Sequence, residues 1–362
     1  MRSTTRLIPY QRENGAAAGR GNYDSATDSA RILSQARTGL KRMIGAGTNS
    51  ELVFTFNGTD GLNLCLFGFL KPGDHVITSV AEHNSILRPL ASLKESREVE
   101  VTFADTDDDG VISMDSVQSA IRPTTRLIAV THASNVTAAI QPIDKLAELA
   151  HSGGAKILVD AAQTIGHHNF GVADLGIDIL AASGHKGLMG PLGTGFVYLA
   201  EGISPLVQPF RFGGTGINSQ SDQQPAEGPE RFESGNLNMP GIAGLLAATE
   251  FHELDKSTEQ DFTERVLTAL KKIPGVSVVG PKDPDGRVEL VSLTLDGYDS
   301  HDAAAALNAA AQIETRAGLH CAPKMHERLG VPGTLRASWG RFTTADEIES
   351  FLQVIGELVG DM

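Results

Sequence analysis

The chain has 362 residues, of which 41% are hydrophobic and 20% charged. That describes an ordinary soluble globular protein with room for one large or two modest domains. A formal net charge of −14 and a pI near 5.2 argue against nucleic acid and anionic membrane as partners.

Residues 1–22 are rich in Gly and Ala and read as an irregular lead-in. Ala30, Leu33, Ala36, Leu40 and Ile44 then fall on one helix face, stopped by Gly45. Strand-like and helical runs alternate after that. Strands are expected at Leu52–Phe56, His75–Ser79, Val99–Phe103, Arg126–Thr131, Lys156–Asp160, Ile177–Ala182 and Gly195–Leu199. Helices are expected at Asp60–Phe69, Ser85–Glu95, Ser113–Ile121 and Ile143–His151. This order predicts an α/β fold, a mostly parallel sheet with helices on both faces and ligands at the carboxyl ends of its strands. Residues 200–238 are irregular, and helices follow at Ile242–Leu254 and Glu259–Ile273. The last third reads as a smaller α+β unit, with strands Val276–Val279, Leu290–Leu295 and Thr334–Ser338 and helices His301–Ala311 and Ala345–Val359. We expect a large domain over 23–255 and a small C-terminal domain over 256–362.

Some classes drop out. The longest apolar stretch, near Leu64–Leu70, is far shorter than the roughly 20 residues of a membrane span. No apolar segment of a secretory signal follows Met1, so the expected location is the cytoplasm. Two cysteines, Cys65 and Cys321, make neither a disulfide framework nor a thiolate metal cage. Asp105–Ile112 looks like half a calcium loop, but a strand precedes it and Ser116 stands where a Glu is needed, so a turn with Ser113 capping the next helix is expected. His167-His168 lack further ligands at metal spacing, and no metal site is expected. The glycines after Lys186 do not open a helix behind a first strand, as a dinucleotide site requires.

The chemistry concentrates at two strand ends. Lys156–Asp160 finishes in an acid, and Ile177–Ala182 delivers Ser183-Gly184-His185-Lys186. A lysine loses hydration when buried, so its place there asks for a use. A lysine able to form a Schiff base and an acid able to protonate a pyridine nitrogen are what pyridoxal 5'-phosphate (PLP) requires.

Val159-Asp160-Ala161-Ala162-Gln163 followed by Ser183-Gly184-His185-Lys186 resembles the class V aminotransferase family, and within it the cysteine desulfurase and selenocysteine lyase branch. The likeness runs from about Gly21 to the C-terminus. It implies the PLP-dependent transferase fold type I, with a seven-stranded sheet. It also implies roles residue by residue. Lys186 would carry the Schiff base, Asp160 would face the pyridine nitrogen and His83 would stack on the ring. Gln163 and Asn135 would reach the phenolic oxygen. Thr59, Asp60, Ser183 and His185 would grip the phosphate, with Thr215 of a second subunit joining them. That last role implies a homodimer with composite sites. Arg336 would bind the substrate carboxylate, with Arg341 the weaker alternative, and Asn135 would also border the substrate.

His320-Cys321 in Arg316–Pro323 resembles the short catalytic loop of that branch, and a neighbouring His can raise the thiolate fraction of a cysteine. The implied reaction converts L-cysteine to L-alanine and leaves sulfur on Cys321 as a persulfide for an acceptor, such as an acceptor protein. Selenocysteine lyase or cysteine sulfinate chemistry would use the same residues. An aminotransferase or epimerase, or a PLP-binding protein without activity, is the alternative. Three departures bear on the substrate side: Leu7–Arg12 does not match the family's usual first segment, Asn236 replaces a Thr, and Ala138-Ala139 replace Gly-Thr.

Overall fold

The computed structural model describes residues 4–217, 220–254 and 262–360. Seven strands form one sheet in the order β1-β7-β6-β5-β4-β2-β3. They are β1 (Glu51–Thr55), β2 (His75–Ser79), β3 (Glu100–Ala104), β4 (Thr125–Thr131), β5 (Lys156–Asp160), β6 (Ile179–Ser183) and β7 (Gly195–Leu199). β2 to β6 run parallel, and β7 is antiparallel to both neighbours, β1 and β6.

Alternate residues of the inner strands enter different cores, which is why those strands read as continuous apolar runs. Ile157 and Val159 of β5 pack with Leu40 of α2 (Asp24–Met43) and Ile44 just after it, Leu146 of α6 (Ile143–Ser152) and Leu245 of α7 (Met239–Leu254). Leu158, between them, packs on the opposite face with Leu62 and Leu66 of α3 (Gly58–Phe69) and Leu90 of α4 (Asn84–Arg97). Helices therefore cover both faces. The turn at Asp105–Gly110 is closed by Asp107, whose Oδ1 accepts the N–H groups of Asp109 and Val111. Ser113 caps α5 (Met114–Ala120) as expected.

A second sheet, ordered β10-β11-β9-β8, is antiparallel. Its strands are β8 (Val276–Val279), β9 (Leu290–Leu295), β10 (Arg316–Gly318) and β11 (Thr334–Ser338). It has its own core with α8 (Thr263–Leu270), α9 (Ser300–Ala311) and α11 (Ala345–Gly360), built on Val266, Leu293, Leu307 and Ile355. The domain boundary expected at 255/256 lies outside the described residues. So does Glu259–Asp261, the start of the helix expected at Glu259–Ile273.

The opening segment differs from the irregular lead-in expected over 1–22. Thr4–Pro9 is helical (α1), and Tyr10–Asn14 continues it as a turn of π-helix. Tertiary contacts hold it there. Tyr10 is buried in the main core and bonds Ser29, and Arg6 pairs with Glu250 on α7 at 2.6 Å. Also unforeseen are β10 and α10 (Pro323–Leu329), which flank the Cys321 loop. Among the described residues, no helix is long and apolar enough to cross a membrane.

Candidate active site

The carboxyl ends of β4, β5 and β6 and the first turns of α3 and α4 enclose a cavity of about 500 Å³. Thr59, His83, Asn135, Asp160, Gln163, Ser183, His185 and Lys186 line it. Sequence reading placed all eight at one site, and the fold brings them together because each follows or starts an element at the same sheet end.

Asp160 ends β5 and is 5% exposed. Its Oδ1 accepts the N–H of Ala162 at 3.0 Å, and its other oxygen has no hydrogen-bond partner among the described residues. Lys186 sits in the turn after β6, and no described residue accepts a hydrogen bond from its Nζ. Burial lowers its pKa below the ordinary lysine value and Arg336 pushes the same way, while Asp160 and Cys321 oppose the shift. More of its amine is therefore neutral near pH 7 than in a solvated lysine.

The first turn of α3 borders the opposite wall. Asn57 caps it, its Oδ1 accepting the Asp60 N–H at 2.9 Å. Ser183 Oγ accepts the Gly58 N–H at 3.1 Å. A Cβ on Gly58 would approach that Oγ to 2.7 Å, so only glycine leaves room for this contact. Thr59 Oγ1, Ser85 Oγ and His83 Nδ1 form a chain with spacings of 2.7 and 2.8 Å. His83 Nδ1 also accepts the Ser85 N–H at 3.0 Å, which puts the proton of the neutral ring on Nε2. Burial, more than any neighbour, lowers the His83 pKa and keeps the ring neutral; Lys186, Arg336 and Arg88 add to this and Asp160 opposes it. Ser85, also a lining residue, escaped sequence reading. Its place within hydrogen-bond reach of Thr59 depends on α3 and α4 meeting in space.

Other candidates lie elsewhere. Asp60 does not line the cavity; its Oδ2 accepts the Phe56 N–H at 2.9 Å and faces Arg211 at 3.3 Å. That makes it a brace of the α3 turn. Arg336 lines an adjoining cavity of about 240 Å³ that shares Gln163 and Lys186 with the first. Arg341 stacks over Phe251 instead. Thr215 lines a third cavity with Arg20 and Asn236, away from Lys186 within this chain.

Cys321 is exposed, whereas Cys65 is buried within α3, where burial raises its thiol pKa far above the ordinary range. His320 and Cys321 are consecutive non-glycine residues in the left-handed region, at φ +48° and +58°. Such residues cost roughly 1–3 kcal/mol each and persist only where neighbours fix them. Here the His320 carbonyl accepts from Asn135 Nδ2 at 2.7 Å, and the Cys321 carbonyl accepts from the Asn84 N–H at 2.7 Å. The expectation that the neighbouring His320 raises the thiolate fraction of Cys321 finds no support in its geometry. Its ring is buried with Nε2 on Thr334 (2.9 Å to Oγ1), and burial, with help from Arg336, drives its pKa down to about 3. A neutral, inward-facing imidazole offers the thiolate no positive charge. Lys186 and Arg336 are cations within electrostatic reach of Cys321.

This donor set fits PLP. A buried carboxylate with an unoccupied oxygen suits a protonated ring nitrogen, and a lysine with a free Nζ suits an aldehyde. Hydroxyl and imidazole groups beside the start of α3 suit a phosphate.

Comparison with known proteins agrees. The chain is 34% identical to a probable cysteine desulfurase of Methanothermobacter thermautotrophicus, over 98% of this chain and 90% of that protein. It is 32% identical to a cysteine desulfurase of Pectobacterium carotovorum, with the same coverages of 98% and 90%. The apo structure of a cysteine desulfurase from Thermococcus onnurineus superposes with a TM-score of 0.93 at 32% identity, covering 99% of this chain and 92% of that one. The family model described as aminotransferase class-V matches residues 4–351, and with that the fold and the strand-end lysine and acid have one source: the chain belongs to the class-V aminotransferase family.

Proposed function

We propose that the protein is a PLP-dependent cysteine desulfurase that converts L-cysteine to L-alanine and takes the sulfur onto Cys321. The observation that supports this most is the placing of an exposed thiol within electrostatic reach of both Lys186 and Arg336, beside a cavity whose donors fit PLP.

Asp160 would hold the pyridine nitrogen. Thr59, Ser183 and His185 would hold the phosphate, Gln163 and Asn135 the phenolic oxygen, and His83 the ring face. Bound PLP draws electrons away from the substrate Cα. Arg336 presents its guanidinium fork to the substrate carboxylate. Lys186 Nζ, partly neutral through burial, takes the Cα proton. Cys321 Sγ, as thiolate, attacks the substrate sulfur. An S–S bond forms, the Cβ–S bond breaks with its electron pair left on Cβ, Cβ takes a proton, and Lys186 Nζ returns a proton to Cα. The products are L-alanine and a persulfide on Cys321, which an acceptor then discharges.

Two copies of the chain would complete the site, with Thr215 of one serving the phosphate of the other. The exposed Phe210, Phe212 and Ile217 around Thr215 support a covered surface there. A division into a large and a small domain near 255/256 follows the two sheets and their separate cores. An exposed catalytic thiol favours a reducing compartment such as the cytoplasm.

The test is product analysis. Purified protein given L-cysteine and a reductant should yield alanine and sulfide in equal amounts, with the visible absorbance of a lysine-bound PLP. Cys321→Ala should keep the absorbance and lose alanine formation from cysteine. Normal alanine formation by that variant would remove Cys321 from its role, and keto acid or racemised amino acid in place of alanine would favour an aminotransferase or epimerase.

A further inference from the structure

The Cys321 loop is gripped from two sides. On one side, β11 contributes Thr334, which holds the His320 ring through Oγ1 at 2.9 Å and through its backbone carbonyl at 3.0 Å. On the other, Asn135 reaches from the turn after β4 to the His320 carbonyl at 2.7 Å. Asn135 makes a second contact. Its own backbone carbonyl accepts from Arg336 Nη1 at 2.9 Å. Arg336 lies two residues beyond Thr334 on β11, so both face the same side of that strand. One buried residue, 6% exposed, thus touches the loop of the sulfur-accepting thiol and the guanidinium of the carboxylate site.

We infer that Asn135 is a positioning residue that locks Cys321 and Arg336 into one register across the large and small sheets, in addition to bordering the cofactor cavity. This rests on the assignments of Cys321 and Arg336 made above. Attack on the substrate sulfur requires Sγ at a fixed distance from a substrate whose carboxylate is docked, and a small misplacement costs rate steeply. The left-handed backbone at His320 and Cys321 is fixed by the Thr334 and Asn135 contacts together with the Asn84 N–H on the Cys321 carbonyl, and losing one of them loosens it at His320. Asn135 supplies one clamp through its side chain. It steadies the arginine through its main chain, which a side-chain substitution leaves in place.

Two substrates separate positioning of the thiol from handling of the cofactor. L-cysteine needs attack by Cys321 Sγ. L-cysteine sulfinate does not, because its sulfur leaves as sulfur dioxide, which water converts to sulfite, and the C–S electron pair stays on Cβ. The experiment measures kcat for alanine formation from each substrate in the holoenzyme, in Asn135→Ala and in Thr334→Val. Thr334 touches neither the cofactor cavity nor Arg336's guanidinium, and its variant removes only the hydroxyl that holds His320 and His326. In Asn135→Ala the cysteine-to-sulfinate ratio of kcat should fall by about fivefold or more, the scale of one lost hydrogen bond, and in Thr334→Val it should fall less, because the Thr334 carbonyl still holds the His320 ring. An unchanged ratio in Asn135→Ala overturns the inference, and if that variant does not retain PLP absorbance, an unchanged ratio in Asn135→Asp, which removes the same Nδ2 donor, does so. The parent enzyme's alanine yield from cysteine tests the desulfurase reading separately.

Discussion

Replacing Gly166 by Ala should unfasten the turn that carries Lys186. Gly166 follows β5 with φ +84°, and a Cβ there would lie 2.3 Å from both the carbonyl carbon and oxygen of Gly187. Two costs add. The left-handed backbone costs an L-residue roughly 1–2 kcal/mol. Backbone overlap cannot be relieved by a rotamer change and costs about 1–3 kcal/mol more. The sum, about 2–5 kcal/mol, is a large part of the 5–15 kcal/mol typical of a folded domain. Gly154 provides the control, with φ +74° and nothing within 4 Å of an added Cβ, so Gly154→Ala should show the first cost alone. Urea unfolding resolves the two: with a slope of about 3 kcal/mol per M, Gly166→Ala should move the midpoint down by roughly 1 M and Gly154→Ala by about half that or less. Because Gly187 adjoins Lys186, Gly166→Ala should also lower PLP retention at equal protein concentration, and Gly154→Ala should not. Equal midpoint shifts in the two variants, with equal retention, would refute the steric reasoning.

Asp160→Asn should fold but lower alanine formation by about 10²-fold or more, the usual scale for loss of a group that manages a proton in catalysis; a kcat within threefold of the parent (roughly 0.7 kcal/mol) would count against Asp160 as the ring-nitrogen partner. Arg37→Ala should be among the most destabilising single changes, at about 3–5 kcal/mol. It strands Glu233, whose side chain is 4% exposed and whose remaining support is the Phe54 N–H, and a denaturant midpoint like the parent's would sink the idea. Stability should fall on mild acidification. His132 is held neutral by burial, with His168 adding to the effect, at a pKa of about 4, and His320 by burial at about 3, against about 6.5 when unfolded. The unfolded chain therefore binds more protons below that value, so this contribution is complete above about pH 6.5 and is lost as pH drops toward 4. His132→Gln should reduce the loss of midpoint between pH 7.5 and pH 5, and an identical loss would argue against it.

The large sheet was legible because its strands are short apolar runs that bury both faces, and the acid and the lysine stood out as charges at the ends of such runs. Lys156–Asp160 and Gly195–Leu199 match residue for residue. Direction in space was not legible. His320 adjoins Cys321 in sequence but points inward to Thr334, and Asp60 follows Thr59 yet turns back to the Phe56 N–H. The helical opening at Thr4–Asn14 depends on partners 15 or more residues away, such as Ser29 and Glu250, which no local pattern announces. β10 and α10 are three and seven residues long, too short to show a period. Thr215 lines a cavity apart from Lys186 in this chain, and its proposed role requires a second copy.

The reversed strand β7 has a bearing on how Lys186 moves. Ser183 and Gly195 are register partners, so the eleven residues from Gly184 to Thr194 leave and re-enter the sheet at adjacent hydrogen-bonded positions. The loop is pinned at its base like a hairpin, and Gly184 N–H to Thr194 O (2.9 Å) and Gly190 N–H to Gly184 O (2.7 Å) cinch it further. Any swing of the lysine must then come from its own four methylene torsions and not from travel of the main chain. The amine is a short tethered arm on a fixed pivot, whose working radius is the length of one side chain.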